Sequence, residues 1–488
     1  MHARVKKVLR QVGITIGIVL ATILFVRSFD AWRSPPLKLW HTQVPHELDA
    51  DDIDAADWET WVVAENSAFA EVQREVIDAV PAGDQILPNR YFAASPINPQ
   101  RFAQNWNHSF VLTPIGTPRG AVVLVHGLTD SPYSMRHIAL RYVEHGYVAV
   151  AVRMPGHGTV PAGLTTTRWE AWLAATRLGV RTARLMAGDK VPLHLVGYSN
   201  GGALSLKYAL DSLSDPKLAR PDRLVLLSPM VGITSFARFA GVLGWPAAFP
   251  SFAKAAWLDV LPEYNPFKYN SFPVNAARQS SQVVRAVQKE FASAAKNGVL
   301  AKLPPVLTFQ SVLDATVSTR AVVDSLYRSL PANGSELVLF EVNHRAGAGP
   351  IIRPEQANVL ASLLPPAPRQ FAVTVVGNAA EDVSTDEART VAAGATETQV
   401  NALGRLYPKD LYSLSHVALP FPLQDGLYGS EPRANENFGV RLGLVAVRGE
   451  RGALIVGAET LMRASSNPFF DYMLERIEAD IISPDTAP

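Results

Sequence analysis

Gly197-Tyr198-Ser199-Asn200-Gly201 lies between an apolar run ending at Gly197 and a stretch of helical character opening near 200. A serine at a sharp strand-to-helix turn sits in strained backbone, and small residues two before and two after let the chain fold that tightly. The helix start then aims N–H groups and positive potential at a reacting oxygen. The chemistry this suits is nucleophilic attack by Ser199 on an acyl carbon. Alone the pattern is a modest signal that arises by chance; between a buried strand and a helix it is strong. His126-Gly127-Leu128 ends another apolar run, where a loop could supply an N–H to an oxyanion. Leu128 would donate one hydrogen bond and Asn200 the other. His126 precedes the nucleophile and reads as structural. Arg153-Met154-Pro155-Gly156-His157-Gly158 makes a tight loop near the site, as a plain turn or a substrate contact.

These residues need elements to hold them. Short apolar runs at 110–113, 121–127, 147–154, 193–197, 223–229 and 305–311 read as strands, with helical stretches at 166–187, 202–213 and 319–330. Nearly continuous apolar strands alternating with helices mean a mostly parallel, doubly wound α/β sheet covered on both faces. Active sites in such sheets gather at the carboxyl ends of the strands. The interval 232–300 breaks the rhythm, with ten aromatics over 236–272. It reads as a helical cap insertion that packs a small core of its own. Trp245, Phe249, Phe252 and Trp257 on its underside are candidate walls of an apolar substrate pocket. Farther on, the sequence predicts a strand at ELVLFEVN, a helix near 354–364, a strand at FAVTVVGN and a helical stretch near 384–403. Strand-like segments follow at LYSLSH, 440–447 and 453–457.

The whole chain has 488 residues, 48% hydrophobic and 18% charged, which excludes a disordered protein. A net charge of +1 offers no field for nucleic acid. With no cysteine, disulfides, thiol nucleophiles and Cys-ligated metals are excluded. No HExxH, P-loop or GxGxxG pattern appears, so no metal or nucleotide cofactor is expected. His46 to Asp51 matches an H-x4-D spacing, but in an acidic spacer where chance matches come easily. Arg4, Lys6, Lys7 and Arg10 precede an uncharged, mostly apolar run at 11–26. That pattern predicts an uncleaved single-pass signal anchor in the inner membrane, with residues 1–10 a cytoplasmic basic tail and the domain on the periplasmic side. Residues 27–108 then form an exposed juxtamembrane spacer and an amphipathic docking helix starting near Trp58.

HGL, RMPGHG and GYSNGG, in that order and spacing, resemble the α/β-hydrolase superfamily, particularly its monoacylglycerol-lipase and carboxylesterase branch, over about 109–345. The resemblance implies an eight-stranded core and the order Ser, acid, His along the chain. It places the acid at Asp314, just past the strand PVLTFQS. Only His344 and His416 follow Asp314. His344 stands 30 residues after the acid, the spacing usual in the superfamily. His416 ends SLSH in a strand-then-loop setting equally suited to a base. With its anchor, NRYFAASP, LVGYSNGGALSLKYAL, FQSVLDATVSTRAVVD, SLSHVALPFPLQDGLYG and NPFFDY, the whole chain is also similar to a group of membrane-anchored bacterial α/β hydrolases, and in that group the triad histidine matches His416. This second resemblance makes 336–405 an insertion before the last core strand. The expected boundaries are a core at 109–365 with its cap at 232–300, and an extension at 366–488 that completes the core. The expected function is a serine hydrolase acting on carboxylic esters, small-molecule or lipid-like. Acyl transfer with the same triad and an inactive binding module are the alternatives. Nothing in the sequence speaks to oligomeric state.

Overall fold

The computed structural model describes residues 34–232, 250–344, 359–380, 383–444 and 463–482, with a few residues before 34. Five strands come first: β1 (Phe110–Leu112), β2 (Gly120–Val125), β3 (Tyr147–Val152), β4 (Leu193–Tyr198) and β5 (Arg223–Leu227). A small hairpin, β6 (Trp257–Asp259) and β7 (Phe272–Pro273), stands apart from the main sheet. The main sheet resumes with β8 (Val306–Ser311), β9 (Glu336–Phe340), β10 (Ala372–Asn378), β11 (Thr385–Val391) and β12 (Thr398–Leu406).

The main sheet has ten strands in the order β1-β3-β2-β4-β5-β8-β9-β10-β11-β12. From β3 across to β10 every neighbouring pair is parallel, while β1 and the β11–β12 hairpin are antiparallel at the two edges. The central strands are buried along their whole length because helices cover both faces. Alternation along β2 shows the division: Ala121, Val123 and Val125 join the core on one face, and Val122 and Leu124 the core on the other. The principal helices are α1 (Trp58–Val72), α2 (Arg136–Glu144), α3 (Trp169–Ala187), α4 (Asn200–Ser214), α5 (Val274–Lys296), α6 (Thr319–Ser325) and α7 (Phe470–Ile482). Helix α7 lays Met473, Ile477 and Ile481 onto the face that holds Val122 and Leu124.

Several expectations are corrected here. The stretch near 384–403 is a β-hairpin and not a helix: its Thr and Val residues pair along β11 and β12, and β11 buries alternate side chains against β10. Residues 336–405 are not an insertion as a whole, because Glu336–Phe340 pairs with β8 inside the sheet. LYSLSH is not a strand; it runs irregularly into a single 3₁₀ turn at His416–Ala418. Leu442–Leu444 likewise forms a 3₁₀ turn after irregular backbone at 440–441, and residues 445–447 and 453–457 lie outside the described residues.

The acidic segment after residue 31 is no exposed spacer. Trp40, His41 and Ile53 are buried, and Glu47 pairs with the buried Arg153. Asp57 caps α1 by accepting from Thr60 N at 2.8 Å, and Trp61 packs into the main core.

The expected single-pass membrane protein is also corrected. Among the described residues, no helix is long and apolar enough to cross a membrane. The uncharged run at 11–26 would reach only about 24 Å as a helix, short of a hydrocarbon core of about 30 Å. Much of that run lies outside the described residues.

One cluster ties the carboxyl-terminal segment to the sheet. Arg136 at the start of α2 donates to Asp425 Oδ2 at 2.8 Å and to Glu436 at 3.0 Å. Asp425 also accepts from Tyr133 Oη at 2.9 Å and from the backbone of Leu427 and Tyr428. Burial alone would raise the Asp425 carboxyl, but Arg136, His137 and the Tyr428 N–H outweigh it and hold it well below the usual carboxylate range. Its stabilising contribution is therefore present at neutral pH and is lost as the pH falls through that lowered value. Asp425→Asn should cost up to about 3 kcal/mol at neutral pH, because it removes the more buried of the two carboxylates that neutralise Arg136 and leaves Glu436 alone to do so. Urea unfolding at pH 7 measures the loss, and the gap between parent and variant should narrow in acid.

Candidate active site

Strand β4 runs straight into α4 with Ser199 at the joint, at φ +55° and ψ −115°. A non-glycine residue at positive φ stores strain that the surroundings must hold. Ser199 N donates to Leu227 O at 2.9 Å, and Ser199 O accepts from Gly202 N and Met230 N at 3.0 Å each. The flanking glycines are required by contact. A Cβ on Gly201 would stand 2.0 Å from Val125 O, and one on Gly197 would stand 2.5 Å from Gly201 O. Only bare backbone lets α4 start this close to β2 and β4.

Asp314 follows β8 on a turn. Its Oδ1 accepts from Thr316 N and Val317 N at 2.8 Å each, and its Oδ2 from Gln310 Nε2 at 3.1 Å. His416 Nδ1 meets the same Oδ2 at 2.8 Å, with both side chains buried. Burial would raise the Asp314 carboxyl, but His416 and the two backbone N–H groups outweigh it, so the group sits below its ordinary range. An ionised Oδ2 accepts, so Nδ1 carries the proton and Nε2 is left as the basic nitrogen. The other candidate stands elsewhere. The His344 side chain is 32% exposed, and its Nε2 lies 4.0 Å from Glu341.

The chain must return 102 residues after Asp314 to deliver His416, and three side chains to which the sequence gave no such role hold that return. Asn343, fully buried after β9, donates from Nδ2 to Pro408 O and Leu411 O at 2.8 Å each. Ser311 Oγ donates to Leu414 O at 2.6 Å. Tyr198 Oη donates to His416 O at 3.3 Å, with its ring 5.2 Å from the imidazole. Asn343 sits next to His344 in the sequence. A buried amide beside a strand end was the available signal.

Leu128 and Asn200, the expected oxyanion donors, flank Ser199 in space and in sequence: Leu128 follows the Gly127 that packs on Ser199, and Asn200 opens α4. Gly127 brings this loop close: a Cβ there would lie 3.3 Å from Ser199 Cβ. Burial pushes the Asp130 carboxyl up to about 6, with Lys268 as the opposing charge. His126 donates or accepts only within the fold, at Gly127 O (2.8 Å) and Met154 N (3.0 Å). Arg153 is fully buried against Glu47 and Glu65, so it is part of the fold and offers no surface to a substrate. Of the candidate pocket residues, Trp257 is buried edge-on against His41, 4.9 Å between ring centres. That contact is packing with the amino-terminal segment. Trp245 and Phe249 lie outside the described residues, as does the side chain of Phe252. Among the described residues, no group of three or more His, Asp or Glu is placed to hold a metal ion.

A mostly parallel sheet with a strained serine at a strand-to-helix joint at its centre defines an α/β-hydrolase fold. Residues 116–341 match the family model described as "Serine aminopeptidase, S33". The thermostable monoacylglycerol lipase of Bacillus sp. (strain H-257) is 34% identical over 88 residues, 18% of this chain and 34% of that protein. The chain therefore spans about a third of the length of that curated relative. Among solved structures, one from a study of the metagenome-derived lipolytic enzymes LipS and LipT aligns over 49% of this chain and 88% of its own at 22% identity and a TM-score of 0.38. A soluble variant of the Saccharomyces cerevisiae monoglyceride lipase aligns over 47% of this chain and 81% of its own at 16% identity and a TM-score of 0.36.

Proposed function

We propose that the protein is a serine hydrolase that cleaves carboxylic esters through an acyl-enzyme. The observation that carries this reading is the buried 2.8 Å pair between His416 Nδ1 and Asp314 Oδ2, with Asp314 past the carboxyl end of β8 as the strained Ser199 is past that of the parallel β4. His416 takes the proton from Ser199 as the hydroxyl oxygen attacks the carbonyl carbon. Asp314 keeps the imidazole in the tautomer with a basic Nε2 and stabilises its charged form. The N–H groups of Leu128 and Asn200 hold the oxyanion. The imidazolium returns its proton to the leaving alkoxide, and the same imidazole then activates water to release the acid.

The substrate class in this proposal is an acyl or lipid-like ester. It rests on the stretch shared with a monoacylglycerol lipase and on the apolar residues of 236–272. A second reading, cleavage of an amide next to a free amino terminus, is favoured by the description of the matched family. Hydrolysis of p-nitrophenyl esters from acetate to palmitate, set against aminoacyl p-nitroanilides, separates them. The ester reading expects kcat/KM at least about 100-fold higher on its best ester than on any anilide. The reverse order overturns it in favour of the peptidase reading.

A further inference from the structure

A set of contacts leads from amino-terminal residues outside the matched segment 116–341 to the oxyanion loop inside it. Arg153, at the end of β3, is fully buried and has four oxygen partners. Its Nη1 and Nη2 donate to Glu47 Oε1 and Oε2 at 2.8 Å each, its Nε to Glu65 Oε1 at 2.9 Å, and Nη1 also to His157 O at 2.9 Å. Glu47 Oε1 accepts in addition from Gly156 N at 3.1 Å. The two carboxylates and the guanidinium thus clamp the loop 153–158 from inside. Trp61 and Phe69 of α1 lie within 5.6 Å of the guanidinium and close the cluster from the helix side. Glu65 is held in turn by Ser109, whose N and Oγ donate to it and whose Oγ accepts from Arg153 N at 2.8 Å.

The clamped loop reaches the catalytic centre through one imidazole. Met154 N, next to Arg153, donates to His126 Nε2 at 3.0 Å. With Nε2 accepting, the neutral ring carries its proton on Nδ1 and donates it to Gly127 O at 2.8 Å. Burial keeps this ring uncharged, well below its ordinary range, with the neighbouring His157 and Arg153 acting the same way. Gly127 C=O and Leu128 N–H belong to one planar trans peptide and point in opposite directions. Holding the carbonyl therefore aims the N–H.

We propose that Glu47 and Glu65, from the segment preceding the hydrolase core, are positioning residues for the oxyanion hole: through Arg153, the 153–158 loop and His126 they fix the Gly127–Leu128 peptide. This inference rests on the hydrolase reading above. It makes the amino-terminal segment a working part of the site. Its carboxylates touch no substrate and act only on transition-state stabilisation.

The test uses the full chain with Glu47→Gln and Glu47→Asp; the side chain of Glu47 is the more exposed of the pair, so it is the milder site to alter. Kinetics on the best ester are paired with inhibition by a matching trifluoromethyl ketone, which forms a tetrahedral oxyanion on the serine. The expected result for Glu47→Gln is a roughly tenfold or larger fall in kcat with KM within about twofold, and a parallel weakening of the ketone. Glu47→Asp, with the charge kept on a shorter arm, should fall between parent and Glu47→Gln, and it gives the same reading if the Gln variant does not fold. If the folded variants lose only thermal stability while kcat and ketone affinity stay within twofold of the parent, the proposal is overturned. A parent that hydrolyses neither esters nor amides overturns the hydrolase reading and this inference with it; an active parent with unchanged variants overturns the inference alone.

Discussion

Ser199→Ala is expected to lower ester turnover by roughly 10³-fold or more while leaving the fold intact. The side chain is small and its hydroxyl is no part of the hydrogen bonds that hold the elbow; those run through Ser199 N and Ser199 O. Alanine at φ +55° carries the same backbone strain as serine, so thermal stability should change little. What is lost is the oxygen that attacks the acyl carbon in the proposed mechanism. Activity left over would come from binding and the oxyanion donors alone. A fluorophosphonate probe read beside the substrate assay makes the result decisive: labelling should vanish with turnover. A variant that keeps near-parental turnover would remove Ser199 from the mechanism altogether.

His416→Ala should reduce turnover by a similar factor, roughly 10³-fold or more, since an unassisted hydroxyl is a weak nucleophile at neutral pH. It also strips Asp314 of its imidazole partner and leaves a carboxylate buried with only Gln310 and two backbone donors. Some destabilisation should accompany the kinetic loss, measurable as a lower Tm. His344→Ala should cost less than about tenfold, because that side chain is part-exposed and stands 4.0 Å from Glu341. Probe labelling on both variants separates the roles, since Ser199 needs its base to react. Loss of labelling in His344→Ala with retention in His416→Ala would reverse the assignment.

Much of the site was legible in the residues. The elbow could be read at Ser199 because two glycines flank it at fixed spacing between an apolar run and a helix, and Gly201 does pack where no Cβ fits. Asp314 could be read from its place after a strand. The base could not be chosen, because spacing pointed to His344 and resemblance to His416. Contact with an acid across 102 residues is a property of the folded chain and leaves no periodic trace. Arg153 read equally as turn or substrate contact, since its two carboxylate partners lie 106 and 88 residues earlier.

The alternation of strands and helices from β2 to β9, the mostly parallel sheet and the nucleophile's turn were determined by the sequence alone, because they depend on apolar periodicity and glycine placement over a few residues. The tertiary structure decided the rest. It made 384–403 a hairpin, because β10 offered an open edge to pair with; a local reading of propensity does not include that edge. It buried an acidic stretch that composition assigned to solvent, because Arg153 lies there unneutralised without Glu47 and Glu65. It brought His416 rather than His344 onto Asp314, because Asn343, Ser311 and Tyr198 hold the returning loop there.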